Sequence, residues 1–147
     1  MIPEFNKNGR LPPGIHQATW DEFTSRFGFT ERRKDLLEKL DKAIGLLRKA
    51  GCHAVYPDGS FVTSKPQPDD IDVCWATDGV DLDTLDPIFK DFSNFRANQK
   101  TMFGCEFFAA DLPNGMSGKT FLEFFQIDKE TQQPKGIVVI DLRRMRA

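Results

Sequence analysis

The residues best suited to chemistry lie in one stretch, DGSFVTSKPQPDDIDV, running from Asp58 to Val73. Asp70 and Asp72 stand at i and i+2 with Ile71 between them. Residues two apart on a strand share a face, so both carboxylates project to the same side. Two such charges repel, and one tends to keep its proton unless a cation resolves the conflict. Mg²⁺ meets that need, because it prefers oxygen ligands and is commonly held by one or two carboxylates together with substrate phosphates. Upstream, Gly59-Ser60 directly follows an apolar run. Gly59 lets backbone amides come close to a phosphate, and the Ser60 hydroxyl and N–H are donors to it. The acidic pair and the Gly-Ser turn thus describe two halves of one metal–phosphate site.

Elements to position these residues are legible on either side. His53-Ala54-Val55-Tyr56 is expected to form a short strand, Asp58-Gly59-Ser60 a sharp turn, and Ile71 to Trp75 a second strand. Pro66-Gln67-Pro68 keeps the loop between them irregular. Thr19-Trp20-Asp21-Glu22 has the form of a capping box and opens a short helix with Phe23 and Phe27 on one side, ended by Gly28. Thr30 begins a helix of about twenty residues, where Leu36, Leu37, Leu40, Ala43, Ile44 and Leu47 repeat at threes and fours. A single apolar stripe of that length packs most simply on a sheet. Residues 78–86 form an acidic loop leading to a helical stretch from Pro87 to Phe103. Further strands are expected at Glu106–Ala109, Thr120–Ile127 and Gly136–Leu142, with Pro113 to Gly118 as a hairpin connection. Residues 1–18, with Pro3, Pro12, Pro13, Gly9 and Gly14, read as an extended N-terminal arm, and residues 19–147 as a single domain. The fold class is α+β, a mixed β-sheet packed against helices.

Composition narrows the function classes. Twenty basic and 22 acidic residues give a net charge of −2, which argues against a surface devoted wholly to nucleic acid or membrane. A local basic cluster, Arg143-Arg144-Met145-Arg146, is the exception. Cys52, Cys74 and Cys105 show no CxxC spacing and sit in or beside apolar runs, as buried reduced thiols of a cytoplasmic protein do. His16 and His53 offer too few partners for a zinc site. No signal-like or spanning apolar run is present, so no membrane role is expected.

The Gly59-Ser60 pair, its spacer, and the Asp70-Ile71-Asp72 triplet on the next strand resemble the nucleotidyltransferase superfamily, the fold of DNA polymerase beta and of the minimal prokaryotic nucleotidyltransferases. The elements LPPGIH, GSFVT and FFQ are similar to those of small, uncharacterised nucleotidyltransferase-like proteins, and that likeness extends over most of the chain. The resemblance implies a nucleotidyltransferase-like sheet, with Asp70 and Asp72 binding two Mg²⁺ ions and Gly59 and Ser60 holding the triphosphate of a nucleoside triphosphate. It also implies a third carboxylate on a later strand. Glu123, set among apolar neighbours in FLEFF, is the first choice; Glu106 is the second, ahead of Asp128 and Asp141 at strand ends. Many members carry a basic residue soon after Gly-Ser; here Phe61-Val62-Thr63-Ser64 intervenes and Lys65 becomes the candidate counter-charge.

The implied activity is transfer of a nucleotidyl group from an NTP to a hydroxyl of an RNA, a protein or a small molecule. The alternative is a binding protein on the same fold, such as the antitoxin or regulatory member of a toxin–antitoxin or phage-defence pair. The partner would then be a cognate toxin or other protein that docks on the Pro-rich arm and the acidic loop.

Overall fold

The computed structural model describes residues 1–115 and 117–145. Its centre is a five-stranded mixed sheet in the order β1-β7-β2-β3-β4. The strands are β1 (Gly14–Ala18), β2 (Ala54–Asp58), β3 (Ile71–Trp75), β4 (Cys105–Ala109) and β7 (Gly136–Asp141). β2 runs antiparallel to β3 and to β7, while β3–β4 and β1–β7 are parallel. Two helices lead into the sheet, α1 (Trp20–Phe27) and α2 (Glu31–Lys49), and a third, α3 (Ser93–Phe103), connects β3 to β4. Between β4 and β7 lie a two-residue hairpin, β5 (Pro113–Asn114) with β6 (Lys119–Thr120), and the one-turn helix α4 (Phe121–Phe124).

Local sequence accounts for the helices. Thr19 caps α1 as expected: its hydroxyl accepts from Glu22 N at 3.1 Å while Glu22 Oε1 accepts from Thr19 N at 3.2 Å. Thr30 caps α2, accepting from Arg33 N. The α2 stripe Leu36, Leu40, Ala43, Ile44 and Leu47 is almost fully removed from water and meets Val55, Ile71, Val73 and Phe107 from one face of the sheet. The other face carries a smaller aromatic cluster, Phe108 and Phe125 with Tyr56, Phe121 and Phe124 at its margin.

Three expectations are corrected. The stretch 1–18 is only partly an arm, because residues 14–18 form the parallel edge strand β1 on β7 and Leu11 is buried. The expected strand Thr120–Ile127 is instead β6 ending into α4, since Thr120 caps the helix and Glu123 closes a second capping box. The expected helix from Pro87 to Phe103 is broken: a 3₁₀ turn spans Pro87–Lys90, and Asn94, Phe95 and Arg96 are left-handed (φ 51°, 55° and 61°). Left-handed residues other than glycine cost about 1–2 kcal/mol each. Arg96 offsets that cost: its Nε donates to Phe107 O at 3.0 Å, and its guanidinium lies over the rings of Phe108 and Phe92. The expected hairpin loop includes Met116 and the basic cluster includes Arg146; both lie outside the described residues. All described cysteines are free and buried. No helix among the described residues is long and apolar enough to cross a membrane.

Arg33 ties the helices to the Gly-Ser loop. Its side chain is fully buried, and its guanidinium donates to the carbonyls of Phe27, Phe61, Thr63 and Lys65 at 2.7 to 3.1 Å. Burial pushes its pKa down to about 10, still far above neutrality. With carbonyls as its only hydrogen-bond acceptors among the described residues, this cation fixes the course of backbone from Phe61 to Lys65. Arg33→Met strands those carbonyls without a donor, and urea unfolding is expected to show a loss of about 3 kcal/mol or more.

Candidate functional site

The strand register stacks acids side by side. Asp58 on β2 pairs with Asp72 on β3, and Asp72 pairs with Glu106 on β4. The rung lies on the sheet face opposite α2, with Asp70 joining it from just before β3. Like charges directly opposite on neighbouring strands are destabilising. Here one oxygen from each of Asp70, Asp72 and Glu106 lies within 4.8 Å of the others. Lys100 of α3 answers only part of this charge, with Nζ 3.0 Å from Glu106 and 3.9 Å from Asp70.

The electrostatic consequence appears in the acids themselves. Burial, then the charges of Asp70 and Glu106, push Asp72 up to about 7. Burial and the Glu106 charge also raise Asp70. Asp58 is fully buried, and among the described residues neither of its carboxylate oxygens has a hydrogen-bond partner. Burial and the charge of Asp72 raise it well above the usual carboxylate range, and the neighbouring Cys74 thiol eases this only in part. A carboxyl in that position is favoured as the neutral acid.

Gly59 sets the approach of the turn to this cluster. Its φ of +72° suits glycine, and a Cβ there would collide with the Asp72 carboxylate. Of the expected juxtaposition of the Gly-Ser turn and the acidic pair, direct contact is made by Gly59 with Asp72, while Asp70 shares the groove. The two line a groove of about 690 Å³. Glu106 and Phe108 also line the groove, with Ser60 and Lys65 on one side and Phe121, Phe124, Lys129 and Lys135 on another.

Glu123 does not join the acids. Its Oε1 accepts from Thr120 N at 3.0 Å and from the Thr120 hydroxyl at 3.2 Å, and these bonds hold its pKa low. Glu106 occupies the third position in the cluster. Asp128 is committed to Arg10, and Asp141 to Arg143 and Arg144. Those pairs also account for Arg143 and Arg144 of the basic cluster. Asp58 was missed from sequence; the available signal was an acid immediately before the turn glycine, at the end of a run that would otherwise be apolar.

A second recess, of about 830 Å³, lies away from the acids beside Thr19, Trp20, His53 and Asp141. Among its polar groups, Glu22 and Thr19 bond in the capping box and Asp141 pairs with the arginines. The acidic loop is engaged in the same way: Asp81 accepts from Asp83 N and Thr84, and Asp86 from Ile88 N.

Residues 3–141 match the model of a family of unknown function (DUF6932), so the chain belongs to that family. No curated protein and no solved structure matches the chain.

Two outcomes follow from this geometry. An acid near 7 in the folded protein and near 3.9 unfolded keeps its proton in the native state after the unfolded chain has lost it. Without added divalent cations, the free energy of unfolding is therefore expected to fall as pH rises from about 4 to about 7. Asp72→Asn should flatten that decline and add stability on the order of 2 kcal/mol at pH 7.5, read by urea titration across pH. Glu123→Ala, by contrast, removes only the reciprocal half of the Thr120 capping box and should leave the decline between about pH 5 and pH 7 unchanged.

Proposed function

We propose that the chain is a metal-dependent nucleotidyltransferase of polymerase-beta-like fold, moving a nucleotidyl group from an NTP to a hydroxyl of an RNA, a protein or a small molecule. The observation that carries this reading is the acidic triad Asp70, Asp72 and Glu106 lining one groove with the Gly59-Ser60 turn, Gly59 lying against Asp72. The order of parts supports it: Gly-Ser after one strand, the acidic pair on the antiparallel neighbour, and a third acid on a later strand parallel to that.

The donor set fits a hard divalent cation. All three ligands are carboxylates, gathered closely enough to share an ion and too weakly neutralised by Lys100 to be at rest without one. Asp70, Asp72 and Glu106 would hold Mg²⁺, which when bound supplies charge neutralisation to the triphosphate and lowers the pKa of a coordinated hydroxyl. Gly59 lets the turn come up against the Asp72 carboxylate, and Ser60 on the groove offers a hydroxyl with no internal hydrogen bond among the described residues. The Arg33 clamp keeps that loop in one conformation, so its donors are set before the substrate arrives. Phe121 and Phe124 give the groove an apolar wall suited to a flat base.

Isothermal titration with ATP, GTP, CTP and UTP tests the reading. Binding of at least one nucleotide should require Mg²⁺, and Asp70→Asn/Asp72→Asn should weaken it by about tenfold or more. If no nucleotide binds in a metal-dependent manner, the enzymatic reading is overturned.

A further inference from the structure

The groove holds a half-buried cation that makes no hydrogen bond or ion pair among the described residues. Lys135 stands just before β7, on the alternation that places Ile137 and Val139 on the sheet face of Asp58 and Asp72. Its backbone is fixed by a hydrogen bond from its N to Gln126 O at 2.8 Å. Its side chain is half-buried, yet among the described residues no carboxylate or carbonyl oxygen lies within bonding distance of the ammonium. Burial lowers its pKa, and the charges of Asp58 and Asp128, near but not bonded, draw it back up. The other described cations around the groove differ. Arg10 is paired with Asp128 and Glu130, Lys100 with Glu106 and Asp70. Lys65 and Lys129 are exposed and spend their charge in water.

An ammonium withdrawn from water without a bonded partner is costly, and an anion that enters the groove removes that cost. The anion must also suit the rest of the groove, where acids gather at one place and an unspent lysine waits at another. A chain of linked phosphates does this: one phosphate shares the cation at the acids while another reaches the lysine.

We propose that Lys135 is a positioning residue for the phosphate chain, donating to non-bridging oxygens of a di- or triphosphate whose other end is held at Asp70, Asp72 and Glu106. The metal end of this assignment rests on the nucleotidyltransferase reading; the lysine end does not. The role is binding and orientation, with no proton or bond transferred by Lys135.

Calorimetry with inorganic tripolyphosphate, with and without Mg²⁺, and with Mg-ATP tests it on the full chain. Lys135→Met should weaken tripolyphosphate and Mg-ATP binding by about tenfold or more, whereas Lys135→Arg, which keeps the charge, should stay within about threefold. Titration with Mn²⁺ alone should be unchanged in Lys135→Met, which separates loss of the phosphate contact from collapse of the site. Lys135→Gln repeats the test should the methionine variant fold poorly, and Lys42→Met, on the exposed side of α2, controls for net charge. Undiminished Mg-ATP binding in both neutral variants overturns the assignment and leaves the nucleotidyltransferase reading standing. Tripolyphosphate binding that needs Lys135 but neither metal nor the aspartates supports the assignment and overturns that reading. A wild-type protein that binds neither ligand overturns both.

Discussion

The constraint on which the rest of this structure depends is repulsion across a single rung of the sheet. Asp58, Asp72 and Glu106 sit on three adjacent strands in direct register, and Asp70 adds a fourth acid two residues along. A sheet assembled for stability alone would place apolar or opposite-charge pairs there. The protein instead accepts a raised Asp72, a raised Asp70 and a buried Asp58 with no hydrogen bond. A conflict of that kind, in a chain whose other local choices agree with its fold, marks the place where selection has acted on something besides stability.

What sustains the conflict is rigidity around it. On the face away from the acids, the stripe of α2 and the aromatic residues Phe23, Phe27 and Phe61 form a continuous core. Arg33 runs through this core and holds four carbonyls on and before the Gly-Ser loop, so the loop cannot withdraw from Asp72 to relieve the crowding. Gly59 removes the remaining steric obstacle. The acids are thus pressed together by packing that lies elsewhere, and the relief left to them is a proton, the nearby Lys100, Lys129 and Lys135, or a cation from solution.

The sequence made some of this legible and hid the rest for identifiable reasons. Alternation around Ile71 and Val73 exposed the shared face of Asp70 and Asp72, and threes and fours in Leu36 to Leu47 exposed α2, because both signals are local. Glu106 and Glu123 have much the same setting in the text, CEFFA and FLEFF, and only long-range pairing separates them. Even so, Thr120-x-x-Glu123 repeats the capping signature of Thr19-x-x-Glu22, and that local cue outweighs the apolar run around it. β1 was obscured by the prolines and glycines before it, and its partner β7 is at the other end of the chain. The left-handed turn at Asn94 to Arg96 has no local cause at all; it is held from outside by Phe107 O and by the rings of Phe92 and Phe108.

The charges around the groove also explain why so small a protein needs no strongly basic surface to attract a polyanion. Net charge governs long-range attraction, but a ligand inside a groove responds to the few groups that water has left. Arg10 and Lys100 are already neutralised by the acids beside them, and exposed Lys129 is screened by solvent. Half-buried Lys135 feels the charges of Asp58 and Asp128 but is bonded to neither, so its N–H donors remain open to whatever enters the groove. The clustered acids have the opposite deficiency, needing a cation. A lone anion would satisfy the lysine and worsen the acids, and a lone cation would do the reverse. A metal-bound phosphate chain carries both signs a few ångströms apart, and so relieves both ends in one binding event.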